Sequence, residues 1–120
     1  MTDDAAAVAL TAEAAAAAAA RSTAGVVRLQ PGVWGLVAQL GRELWDRKAH
    51  HPDTAGVTVT ITGARITVDV CLVIDPNHRA VDVADAVQHA VAQAVRTSTG
   101  HPVDSVSAHI TDIDLAALLT

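Results

Sequence analysis

Residues 57 to 74 restrict the fold more than any other stretch of the chain. Val57, Val59 and Ile61 alternate with Thr58, Thr60 and Thr62. After Gly63-Ala64 the alternation resumes, with Ile66, Val68, Val70, Leu72 and Ile74 on one side and Thr67, Asp69, Cys71 and Val73 on the other. Side chains at period two point to opposite faces of a strand. A two-residue connection with glycine first suits a primed hairpin turn. The segment therefore predicts a hairpin with one aliphatic face and one face rich in hydroxyls. The aliphatic face needs a second layer to bury it.

Helical patterns lie on both sides. Residues 4–23 hold twelve alanines among twenty residues, with Asp3 and Asp4 at the start and Ser22-Thr23-Ala24-Gly25 at the end, which predicts a helix. Its apolar stripe, read as Val8, Ala12, Ala15 and Ala19, is thin, so weak docking and a mobile first turn are expected. Gly25 to Leu29 reads as a short strand stopped by Pro31-Gly32. Val33 to Lys48 has an amphipathic helical pattern through Trp34, Val37, Leu40, Leu44 and Trp45, weakened by Gly35 and Gly41. His50-His51-Pro52-Asp53 is a loop. After the turn Asp75-Pro76-Asn77-His78, Val83, Val87, Val91, Ala94 and Val95 mark a second clear helix over about 81–97, with Gly100 placed as its carboxy-terminal cap. Val106, Ala108 and Ile110 then alternate with Ser105, Ser107 and His109 in a last strand over 103–110. Ile113, Leu115, Leu118 and Leu119 suggest a short terminal helix.

A hairpin, a crossover helix and a returning strand make a ββαβ core. The expected fold is a two-layer α+β arrangement: a small mixed sheet with helices on one face and a mostly wet Thr/Ser face opposite. One domain over 1–120 is expected, comprising the Ala-rich helix to residue 24, an α/β core over 25–112 and a tail from 113.

Composition removes several functional classes. Of 120 residues, 51% are hydrophobic, yet only two are aromatic, both tryptophan. The core must therefore be built from small and branched aliphatics. Eight Lys and Arg stand against thirteen Asp and Glu, a net charge of −5 that disfavours nucleic-acid backbones. A single cysteine, Cys71, precludes an intramolecular disulfide. Met1-Thr2-Asp3-Asp4 is acidic where a signal peptide would be basic. Glu13 and Arg21 interrupt the alanine run, so no direct membrane span is expected. A cytoplasmic protein is the expectation.

Motifs for chemistry are sparse. The six histidines include no HxxxH or HExxH spacing, and no CxxC occurs, so no metal or cofactor site is expected. Cys71 lies within a strand with no local base to activate it, although His109 on a neighbouring strand could share its face. Gly32-Val33-Trp34-Gly35 matches the GxxG loop of a KH nucleic-acid module, but with apolar central residues. Those two features leave a KH-like module and a small enzyme using Cys71 or the histidines as alternatives; no catalytic residue is assigned. Trp34 and Trp45, about three turns apart, share a stripe of the predicted helix and are either core or a partner anchor.

The succession Gly56-Val57 through the hairpin to Ile74, then Val83-Ala84-Asp85-Ala86-Val87-Gln88 and Val91, then Thr99-Gly100-His101-Pro102-Val103, Val106, His109-Ile110 and Asp112, resembles the alkaline shock, or general stress, family of bacterial envelope stress response proteins. The run from the Ala-rich helix into Ala24-Gly25-Val26 resembles the family's entry strand. Asp75-Pro76-Asn77-His78 departs from the aromatic-Gly pair of many members. The resemblance implies a non-enzymatic protein that acts beneath the membrane through a membrane-anchored protein partner, by self-assembly as a homo-oligomer, or both. Candidate interface residues are Trp34 and Trp45 on the helix, and Thr58, Thr60 and Thr67 on the sheet.

Overall fold

The computed structural model describes residues 2–30 and 56–116. The predicted helix with Trp34 and Trp45, and the GxxG tetrapeptide, lie outside the described residues. Helix α1 (Thr2–Arg21) leads into β1 (Val26–Leu29). The hairpin strands β2 (Val57–Thr62) and β3 (Arg65–Ile74) follow, then α2 (Ala80–Thr99) and β4 (Ser105–Ile113).

The hairpin forms as its alternation dictates. Val57 pairs with Val70, Thr60 with Thr67 and Thr62 with Arg65, antiparallel throughout. Gly63 adopts φ +61° and no other residue type among those described has positive φ, which fits a primed turn with glycine at its first central position. β4 returns parallel to β3 after the α2 crossover, so the four-stranded sheet is mixed.

β3 is the axis of the sheet. β4 runs along one side of it, while β2 and β1 share the other side end to end. They meet at Cys71, whose N–H donates to the Gly56 carbonyl (2.8 Å) and whose carbonyl accepts from the Gln30 N–H (3.1 Å). β1 and β2 are thus two halves of one partner strand, a relationship between distant segments that no local pattern reveals. Both neighbours of β3 bulge beside Val73: Val27 is the extra residue on β1, and Thr111 on β4. Thr111 steadies its bulge by donating its hydroxyl to the Leu72 carbonyl at 3.1 Å.

Both helices cover the same face. Val83, Val87, Val91 and Val95 of α2 are buried against Val57, Val59, Ile66, Val68, Val70, Leu72 and Ile74. Gly100 caps α2 in the left-handed region, its N–H donating to the Arg96 carbonyl. The helix docks in the predicted orientation.

Three expectations need correction. α1 does not dock weakly along Val8, Ala12, Ala15 and Ala19: its buried line is Ala12, Glu13, Ala16, Ala17 and Ala20. An almost uniform alanine surface carries little hydrophobic contrast, so the packing face is chosen by how closely the backbones can approach. β4 extends through Ile113, which takes Asp112 and Ile113 from the predicted core edge and tail into the strand, with the bulge at Thr111 carrying it past Ile110. The outer sheet face is not uniformly wet either. Val73 lies on it and is fully buried, and the Arg28–Asp114 ion pair, formed from either side of β3, spans the strand at that level.

Candidate functional site

The sheet face turned away from the helices is the candidate site. Directly paired residues share a face, so the register can be read as rows across the strands. Thr60, Thr67 and Ser105 form one row; Thr58, Asp69 and Ser107 form the next. Cys71 and His109 follow, then Arg28, Val73 and Asp112. Thr60, Ser105 and His109 are exposed, while Thr58, Thr67, Asp69, Cys71 and Ser107 are half-buried in the pleat.

The Thr/Ser side chains come to the surface here because the period-two pattern leaves them no other direction. Their hydroxyls can donate and accept, and they carry no charge to desolvate when a partner covers them. Charges also reach this face: Asp69 and Arg28 are paired there, and Arg65 and Asp112 lie on it as well. His109 Nε2 lies 3.4 Å from Asp69 Oδ1, with side chains 55% and 40% exposed. Arg28 lies 3.8 Å from Asp114 across β3. Ion pairs this exposed contribute little to stability, so their effect is to set the pattern of charge on the face.

The sequence-predicted sheet residues do come together: Thr60 stands opposite Thr67, and Thr58 lies one row away. Trp34 and Trp45 lie outside the described residues. Sequence reasoning missed the Asp69–His109 and Arg28–Asp114 pairs. Both residues of the first pair sit on the hydroxyl face by alternation, but only the parallel register of β3 and β4 brings them into contact. Cys71 faces the same surface opposite His109, as the alternation allowed. Among the described residues, no group of His, Cys, Asp and Glu is arranged to hold a metal ion, and no helix is long and apolar enough to cross a membrane.

Two helices stacked on one face of a mixed ββαβ-type sheet, with the opposite face hydroxyl-rich and uncovered among the described residues, define a small two-layer α+β protein. The chain belongs to the alkaline shock protein family, described by a cell envelope-related function, whose family profile matches residues 9–115. That span runs from within α1 through β4 and includes every row of the outer face. No curated protein and no solved structure matches the chain.

Proposed function

We propose that the chain is a non-enzymatic docking protein of the envelope stress response. It works at the cytoplasmic side of the cell envelope, held there by a membrane-anchored protein partner, by association with further copies of itself, or both. Membership of a family with a cell envelope-related function supports the setting. The observation that carries the docking reading is the outer sheet face: three rows of Thr, Ser, Asp, Cys and His side chains, with both helices on the other side. Such a face offers many hydrogen-bonding groups with charges of both signs around them, which suits a protein surface.

Crosslinking in the native host, followed by membrane fractionation, tests this reading. The chain is expected in the membrane fraction, crosslinked to an integral membrane protein. Thr60→Arg combined with Thr67→Arg is expected to lower that recovery several-fold without unfolding the chain. Recovery solely as free cytosolic protein, with no membrane partner crosslinked, overturns it.

A further inference from the structure

The outer edge of β4 is a strand edge that no other described strand occupies. Among the described residues β4 pairs only with β3. The Cys71 N–H and carbonyl bond Gly56 and Gln30 on the other side of β3, so its neighbours by alternation, Val68, Val70 and Leu72, turn their backbones to β4. In the parallel register Val68 opposite Val106 and Val70 opposite Ala108, the backbones of Ser105, Ser107 and His109 bond β3, and the N–H and C=O groups of Val106, Ala108 and Ile110 point to the free edge. Natural edges are guarded by lysine, proline, bulges or shortness. From Ser105 to Ile110 there is no Lys, Arg, Asp, Glu or Pro, and the bulge comes only at Thr111. The opposite edge of the sheet is different, because there the chain leaves at Gln30 and returns at Gly56 in mid-edge.

We propose that the β4 edge is occupied by β4 of a second copy of this chain, antiparallel, with the two-fold axis at Ala108. This deepens the docking reading by naming one partner and the strand that receives it. In this register Ser107 stands opposite His109 of the second copy as a non-hydrogen-bonded pair, while Val106 with Ile110 and Ala108 with Ala108 exchange both backbone hydrogen bonds. Val106 stands opposite Ile110, keeping core-side residues together, and the small Ala108 side chains meet at the axis. Moving the axis to Ser107 sets the Asp104 carboxylate against Ile110, and moving it to His109 sets two imidazoles face to face. A half-step places core-side residues against outward ones. The contact is isologous and closes on itself, giving one continuous sheet with the helices of both copies on the same side.

Sedimentation of the purified full chain tests the proposal. The wild type is expected to form a concentration-dependent dimer. Ala108→Pro removes an edge-facing N–H while leaving the β3 ladder intact, so it is expected to sediment as a monomer with unchanged circular dichroism. In case that variant fails to fold, a second measurement uses Ala108→Cys in a Cys71→Ser background. Opposed residues at a hydrogen-bonded antiparallel position have Cα atoms about 5.5 Å apart, within disulfide span. Mild oxidation is expected to link Ala108→Cys chains and to leave Ser105→Cys chains unlinked. A wild type that stays monomeric at every concentration, a folded Ala108→Pro that still dimerises, or equal crosslinking at both positions overturns the proposal. Membrane recovery is read in the host and self-association on purified protein, so either reading can fail alone.

Discussion

Asp104 and Ile66 are joined twice. The Asp104 N–H donates to the Ile66 carbonyl at 2.8 Å, and the Asp104 carboxylate accepts the Ile66 N–H at 2.7 Å. This reciprocal pair stands where β4 enters the sheet and sets its parallel register on β3. Asp104→Ala removes a charged acceptor and leaves the Ile66 N–H to water, at a cost of about 1–2 kcal/mol. Asp104→Asn keeps an acceptor oxygen and is expected to lose about half as much. Urea titration checks both, and an Ala variant as stable as the wild type would refute the clamp.

Three glycines separate backbone strain from crowding. Gly63 has φ +61° and open space where a Cβ would stand. Gly56 has φ +94°, and its Cβ would lie 3.0 Å from the Gln30 nitrogen. Gly25 has φ +93°, and its Cβ would lie 2.6 Å from a methyl of Val83 and 3.0 Å from the His78 ring. Alanine at Gly63 is expected to cost about 1–2 kcal/mol from conformation alone. Gly56→Ala should cost more, because its neighbour is backbone, and Gly25→Ala should cost most, because it also pushes α2 off the sheet. Thermal melts of the three variants rank them, and any other order contradicts this account.

What the chain revealed in advance follows from how local each signal is. The β2–β3 hairpin, its Gly63 turn, the Val83–Val95 stripe and the Gly100 cap all rest on residues within a turn or two of each other, and each formed as read. The end-to-end placement of β1 and β2 rests on bonds from Gln30 and Gly56 to Cys71, far apart in sequence. The bulge that carries β4 to Ile113 is a property of pairing with Leu72 and Val73 and has no local signature. On the candidate face, alternation alone showed that Thr58, Thr60 and Thr67 share a surface, whereas the Asp69–His109 contact needed the register of two strands. Glu13, which marks a polar break in the alanine run, lies on the buried side of α1, a place its neighbours in sequence could not indicate.

The packing of α1 makes a sharp comparison possible within one helix. Ala16 is fully buried, while Ala14 is exposed. Leucine and alanine have similar helix propensities, so substitution at either position changes packing and little else. Ala16→Leu inserts a large side chain where α1 packs closely on the core, at about 1–3 kcal/mol. Ala14→Leu is expected to change stability by under about 0.5 kcal/mol. Equal denaturation midpoints for the two variants would show that α1 is not docked along this line.

The two faces of β3 should differ in what they contribute. Leu72 is fully buried on the helix side, between β1 and β4, and Leu72→Ala opens a cavity costing about 2–5 kcal/mol. Asp69, on the outer face, holds His109 through a pair whose members are 40% and 55% exposed. Screening by water limits such a pair to under about 1 kcal/mol, so Asp69→Asn is expected to melt close to the wild type. The comparison bears on function, because a face that can be altered without loss of the fold is free to be shaped by what it binds. If Asp69→Asn destabilised the chain as much as Leu72→Ala, the outer face would be part of the structural core, and the docking reading would lose its surface.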